Sequence, residues 1–162
     1  MKKVLLIATI AVIVISCNRG KNNETGTKEI SKNSQPDSVR VIIERAWADH
    51  VDADVKGDAI AASSVFDDEG TYIEYGSPQV IGRVALDSTE VTNLKQYKVL
   101  NAKHTIEGLS LEGNYAFQLG QVNARFKITA DNTEIDIAKR YMASWKKQLN
   151  GGWRIHYFIF YA

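Results

Sequence analysis

A single cysteine, Cys17, excludes an intrachain disulfide, a thiolate zinc site and a thiol nucleophile within the folded part of the chain. Proline is almost as scarce. Pro36 and Pro78 are the only two, and both fall where an element is expected to start or a turn to form. Charge of one sign is also lacking: 20 basic residues stand against 19 acidic ones, a net charge of +1. A chain so balanced has no electrostatic case for binding nucleic acid. Catalytic signatures are missing too. Ser63-Ser64 sits in no GxSxG elbow, and Gly151-Gly152 reads as a hairpin rather than a phosphate loop. The three histidines, His50, His104 and His156, are isolated, with no HExxH and no close spacing. Neither a metal nor a cofactor is therefore expected. Asp67-Asp68-Glu69 lacks the spaced acids and terminal Glu of a calcium loop and reads as a connection between elements.

The one long apolar run is at the N-terminus. Lys2 and Lys3 precede an unbroken apolar stretch from Val4 to Ile15. This is the charged-then-apolar pattern of an export signal, and it is shorter than the roughly 20 residues needed to span a ~30 Å hydrocarbon core. Val14-Ile15-Ser16-Cys17 resembles a lipobox. The expectation is a signal over residues 1–16, cleavage before Cys17, and lipidation of Cys17 that anchors the chain to a membrane of the bacterial cell envelope. Removing Lys2 and Lys3 leaves the mature chain at about −1. Residues 17–36 are polar, with Ile30 the one sizeable aliphatic residue, and read as a lipid-anchored flexible tether.

Residues 37–162 are long enough for one core. Asp37 or Ser38 is expected to cap a helix on which Val39, Ile43, Trp47, Val51 and Val55 recur at four-residue steps. Lys56-Gly57-Asp58 ends it and caps a second helix to about Phe66, with Ile60, Ala61 and Val65 inward. After a polar break at Asp67–Gly70, Thr71–Tyr75 reads as a strand, Gly76-Ser77-Pro78 as a turn, and Gly82 to about Leu94 as a third helix. Four strands follow, at Tyr97–Leu111, Tyr115–Ile128, Glu134–Leu149 and Trp153–Tyr161, with Gly113 and Gly151-Gly152 in two of the turns. Three helices followed by a meander predict an α+β fold, with a curved antiparallel sheet packed on the helices.

Several stretches carry a family resemblance: Lys56-Gly57-Asp58, Phe66-Asp67-Asp68, Pro78 with Ile81-Gly82-Arg83, Leu111–Ala116, and Tyr141 with Trp145-Lys146-Lys147 before Gly151–Ile155. In order and spacing the chain resembles the nuclear transport factor 2-like superfamily. Within it, the chain is similar to the SnoaL-like, ketosteroid-isomerase-like branch, in a domain-of-unknown-function group found in secreted bacterial proteins. The resemblance spans nearly all of residues 37–162. It implies a cone, a bent sheet wrapped on a long helix with a pocket at the open end, and a homodimer through the convex sheet face. Its members include isomerases, dehydratases, ligand binders and interaction modules, so fold does not decide function. Catalytic members use a carboxylate or histidine base in an apolar cone, but their catalytic residues do not align onto this chain, and catalytic residues stay unassigned.

The candidate pocket residues are Trp47, His50, Asp54, Tyr72, His104, Gln118, Arg140, Tyr141 and Trp145. His50 and Asp54 are four apart on one helix face, either a pocket-facing acid–base pair or a solvated flank. His104 alternates with Ala102 and Ile106 and lies in a pocket or at the sheet rim. His156 alternates with Phe158 and Phe160 and reads as a core or interface histidine. The aromatic candidates offer ring faces with one polar tip, as small-molecule sites do, or are simply core. Both faces of the last strand are apolar: Trp153, Ile155, Tyr157, Ile159 and Tyr161 on one, Phe158 and Phe160 on the other. A sheet apolar on both sides needs a second cover. The leading expectation is an envelope lipoprotein whose domain binds a small apolar or amphipathic molecule or acts as a dimeric interaction module. The alternative is a cofactor-free acid–base enzyme of isomerase, dehydratase or hydrolase type.

Overall fold

The computed structural model describes residues 34–161, with side chains from residue 37. The expected signal, Cys17 and most of the expected tether lie outside the described residues. The first helix, α1, runs Ser34–Lys56, so the last three expected tether residues are already helical backbone. Pro36 is tolerated there because the first helical turn needs no backbone donor. Val39, Ile43 and Trp47 are buried as expected, but Val55 is 41% exposed. A four-residue step advances the helix by about 40° beyond a full turn, so a stripe at that spacing drifts off the core face. The same arithmetic returns His50 and Asp54 to the face of Ile43 and Trp47. Gly57, with φ of 76°, ends α1 in the left-handed conformation.

The second helix, α2, is only Ala59–Ser63, with Asp58 accepting a 3.0 Å hydrogen bond from Ala61 N. Ile60 is 58% exposed, and Ala61 is exposed as well; Ala62, Ser63 and Val65 are buried. The expectation of a longer helix with Ile60 and Ala61 inward is corrected by the strand that follows at once. That strand, β1 (Phe66–Ile73), includes the acidic stretch expected as a break. Its charges are tied down individually: Asp67 to His156, Glu69 to Lys146, and Asp68 loosely to Arg83. A two-residue strand, β2 (Val80–Ile81), and helix α3 (Arg83–Gln96) come next. The long strands are β3 (Tyr97–Glu112), β4 (Tyr115–Ile128), β5 (Glu134–Lys147) and β6 (Trp153–Tyr161).

The sheet order is β2-β1-β6-β5-β4-β3. The meander β3 to β6 is antiparallel, as expected, but β1 pairs parallel with β6, which makes the whole sheet mixed. The crossover from β1 to β6 passes through β2, α3 and the meander, and parallel neighbours require such a long connection. The result is an α+β cone, helices against the concave face of a strongly bent, unclosed sheet.

Bulges bend it. Leu100 and Glu107 are each extra residues in β3 against β4, and His156 is extra in β6 against β5. A bulge increases local twist and shifts side-chain parity by one. Trp153 and Ile155 therefore face the core with Phe158, and Phe160 packs against that core, while Tyr157 and Tyr161 turn outward. Unbroken alternation had put Trp153, Ile155, Tyr157, Ile159 and Tyr161 on one face; His156 splits that set. Across β4 and β5 the concave face alternates small against large: Ala116 opposite Trp145, Gln118 opposite Ala143, Gly120 opposite Tyr141. A Cβ at position 120 would lie 2.6 Å from Tyr141 Cζ, so the tyrosine ring occupies the space that glycine leaves.

Candidate functional site

The buried end of the cone is filled. Gln118, 2% exposed, is its centre. Its Oε1 accepts from Trp145 Nε1 at 2.7 Å and Trp47 Nε1 at 3.2 Å, and its Nε2 donates to Tyr141 Oη at 2.8 Å. The His104 ring stacks on the Trp47 indole, centroids 3.7 Å apart and planes within 5°. Burial drives His104 down to about 3, so it is neutral, and its Nδ1 is buried without a hydrogen-bond partner. Gln118, Tyr141, Trp145 and His104, all expected to line a pocket, thus form the packed wall behind one. Burial also raises the Tyr141 phenol. Arg140 points away, 3.4 Å from Glu107.

The open end holds a cavity of about 460 Å³ between α1, α3 and the concave sheet. Of the expected residues, Trp47, His50, Asp54 and Tyr72 line it. Apolar side chains make most of its wall, including Leu86, Val99, Phe126, Ile137 and Phe158. The polar side has two groups. One is Tyr72, Glu74 and Lys139: the tyrosine hydroxyl donates to Glu74 Oε2 at 2.8 Å, and Lys139 Nζ bonds Glu74 Oε1. The lysine hydrogen bond holds Glu74 below the usual carboxylate range, while burial pushes the Tyr72 hydroxyl up.

The other group is His50, Asp54 and Glu90. His50 Nδ1 lies 3.0 Å from the Ala62 carbonyl oxygen. A carbonyl cannot donate, so Nδ1 carries the proton, and in the neutral ring Nε2 is left as an acceptor. Nε2 faces Asp54 Oδ2 at 3.4 Å. Asp54 Oδ1 is buried and receives no hydrogen bond from a fixed N–H or O–H. The available donor is the neighbouring Glu90 carboxyl, which donates only when protonated. Burial pushes Asp54 up to about 6, and burial plus the Asp54 charge pushes Glu90 up to about 7. Burial lowers His50. The three groups thus hold fewer charges than their number suggests, with a proton shared within the carboxyl pair near neutrality.

Glu90 reaches this position because α3 is pinned one and two turns earlier. Arg83 donates to the Ser63 carbonyl at 2.6 Å and to the Phe66 carbonyl, Leu86 is buried, and Asp87 accepts from Ser63 Oγ at 2.6 Å. Glu90, Glu74 and Lys139 were not among the expected residues. Two had a signal. Glu90 is four residues from Leu86, on its helix face; Lys139 alternates with Ile135, Ile137 and Tyr141. Among the described residues, no group of three His, Cys, Asp or Glu side chains is placed to hold a metal ion.

No protein-family model matches the sequence, and no curated protein does either. Solved structures do match in fold. A ketosteroid isomerase-like protein from Erwinia carotovora atroseptica superposes with a TM-score of 0.65 at 16% identity, covering 74% of this chain and 92% of that one. A nuclear transport factor 2-like superfamily protein from Salmonella enterica serovar Typhimurium gives 0.65 at 14% identity, covering 78% and 92%. A protein from Catenulispora acidiphila, solved in complex with S-DNPA, gives 0.61 at 13% identity, covering 76% and 94%. The chain therefore has the nuclear transport factor 2-like, ketosteroid-isomerase-like fold.

The carboxyl pair makes a pH prediction. Asp54 and Glu90 bind protons more tightly folded than unfolded, so their contribution to stability falls as pH rises through their folded values. His50 and His104 act oppositely, losing stability as pH falls below their unfolded value of about 6.5. An unfolded histidine is still half protonated at about pH 6.5, so the two effects overlap, and comparison with Glu90→Gln, which keeps both histidines, separates them. From about pH 5 to 8 the urea midpoint of the parent chain is expected to fall relative to that of Glu90→Gln. Equal slopes in the two proteins would show that Glu90 holds no proton.

Proposed function

We propose that the cone cavity binds a small, largely apolar molecule, and that the chain does so as an envelope lipoprotein. The supporting observation is the cavity itself: about 460 Å³, walled by aliphatic and aromatic side chains, with two small polar clusters, one from the strands and one from the helices. This is the composition of small-molecule sites, where apolar area supplies affinity and a few polar groups fix orientation. A neighbour of the same fold, the Catenulispora protein, was solved in complex with S-DNPA. Nile red added to the chain from residue 18 onward is expected to brighten and saturate at one molecule per chain. Ile137→Trp, which fills the cavity from its wall, is expected to abolish the signal while the circular dichroism stays unchanged. Undiminished binding in that variant would place the dye elsewhere and defeat the proposal.

The second reading is acid–base catalysis without a cofactor, and the His50–Asp54–Glu90 arrangement favours it. A neutral histidine whose Nε2 faces Asp54, and a carboxyl pair titrating near neutrality, can take up and return a proton at a bound molecule. The base role falls to Asp54 or Glu90. Both would have to touch the reacting atoms, and both line the cavity.

Anchoring rests on the sequence. The lipobox-like Val14–Cys17 after a short apolar run supports lipidation at Cys17. Cells fed labelled palmitate are expected to label the chain, and Cys17→Ser to lose the label; label persisting in that variant would remove Cys17 as the anchor.

Homodimerisation through the convex face is the further part of the proposal. Leu119, Met142 and Ile159 form one row across three strands, and Phe117, Ser144 and Tyr157 the next. Phe117 is 50% and Leu119 46% exposed. The rim carries both signs of charge, Arg140 against Glu107, so a two-fold contact of this patch with itself meets no like-charge barrier. Sedimentation is expected to give a dimer at tens of micromolar and a monomer for Leu119→Lys; a monomeric parent chain would count against it.

A further inference from the structure

The charge balance of the cavity points to the class of its ligand. On the cavity wall, the ionisable groups from α1 are His50 and Asp54; from α3, Glu90; from β1 and its end, Tyr72 and Glu74; from β3, Tyr97; from β5, Lys139. His104 of β3 lies behind Trp47. Lys139 is committed to Glu74, and Tyr72 donates to the same carboxylate. That network is closed. The Asp54–Glu90 pair has no such cation. His50 is its one basic neighbour, and the Ala62 carbonyl and burial hold that ring in the form whose Nε2 accepts rather than donates. Asp54 Oδ1, itself buried, is left without a fixed donor. Two acids therefore face an apolar cavity with one proton between them and no positive side chain.

We infer that the cavity is built for a protonated amine with an apolar body, its ammonium hydrogen-bonded to Asp54 and Glu90. This inference rests on the reading of the cavity as a small-molecule site. An ammonium supplies the positive charge and the N–H donors that the pair lacks, and neutralises it. Charge-assisted hydrogen bonds of this kind, in a wall of low polarity, outweigh neutral ones. Trp47, Phe66, Tyr72 and Phe158 line the same space and suit the apolar body of such a ligand. The proton balance is explicit: the amine enters as the ammonium, and the proton held by the carboxyl pair leaves to solvent. A neutral carbonyl ligand would instead need that proton kept in place as a donor, and would release none.

Tryptamine and tryptophol, the same indole body ending in an ammonium or a hydroxyl, separate these cases. Both are titrated by calorimetry into the full-length chain in zwitterionic lipid nanodiscs, against empty nanodiscs, in two buffers of different ionisation enthalpy at about pH 6.5. Tryptamine is expected to bind at least about tenfold tighter than tryptophol, the size of one charge-assisted hydrogen bond, and to release a proton. Asp54→Asn and Glu90→Gln are expected to erase that preference while tryptophol still binds, which also reports that the variants are folded. Equal or tighter tryptophol binding, or tryptamine binding without proton release, overturns the amine and leaves the small-molecule site standing. Binding of neither overturns both.

Discussion

One buried amide organises the molecule. Gln118 lies on the fourth strand, yet its side chain joins α1 through Trp47 to two residues of β5, Trp145 and Tyr141. Three aromatic side chains with polar tips could not be buried together without partners, because each unpaired N–H or O–H in a dry core costs about 1–3 kcal/mol. A single residue meets all three polar tips at one point: its oxygen accepts from both indole N–H groups, and its Nε2 donates to the tyrosine oxygen. The consequence is geometric. Trp47 is fixed both in height and in rotation, and with it the face of α1 that carries His50 and Asp54 into the cone. The stacked His104 ring on the other side of the indole closes the assembly. Where that packing stops, the cavity starts, so the same network that fills the cone's closed end sets the inner limit of its open end.

How much of this was legible in the sequence follows from what each element depends on. The meander was readable because strand length, hairpin glycines and β-branched content are local. The start of α3 at Gly82 was readable for the same reason. The faces of β6 were not, because they depend on His156 being an extra residue against β5, and nothing within the strand marks it. The bulge is held from outside: Asp67 in β1 takes the displaced imidazole at 2.9 Å. The acidic stretch was misread by the same logic. Asp67–Glu69 looks like a loop by composition, and its place in a strand depends on hydrogen-bond partners, His156 and Lys146, that lie 77 or more residues away. Parallel pairing of β1 with β6 has no local signal at all. The candidate site shows the same division. Residues on α1 could be placed by helical phase, whereas Glu90 required knowing that α3 lies across the cavity from α1.

The two polar groups of the cavity illustrate why a list of residue types is a poor guide to chemistry. Glu74 and Asp54 are both acids on its wall. Glu74 meets a lysine and a phenol and is held ionised; its charge is already used. Asp54 meets another acid and a neutral histidine, and burial drives it toward protonation. The difference lies in what stands opposite each, and that is decided by strand register on one side and helix packing on the other. The reactive or ligand-seeking carboxyl is the one the fold leaves uncompensated. Natural cores avoid such groups unless something fills the deficit, since removing a charge from water without a partner is among the costliest substitutions a core can carry.

The convex face obeys the same argument with apolar surface in place of charge. Each long strand of the sheet sends alternate side chains to opposite sides, and on the outward side of β4 to β6 Phe117, Leu119, Met142, Tyr157 and Ile159 form an apolar patch amid charged neighbours such as Arg125, Asp136, Arg140 and Lys146. On the concave side curvature brings the inward set together around α1 and leaves a cavity too narrow for more than a small molecule. On the convex side Phe117, Leu119, Met142, Tyr157 and Ile159 line a shallow hollow of about 490 Å³ within an exposed apolar patch. A flat partner laid over that patch would remove more apolar area from water than a molecule seated in the hollow alone. One bent sheet therefore carries an apolar hollow on each side, and the bulges that set its bend shape both at once.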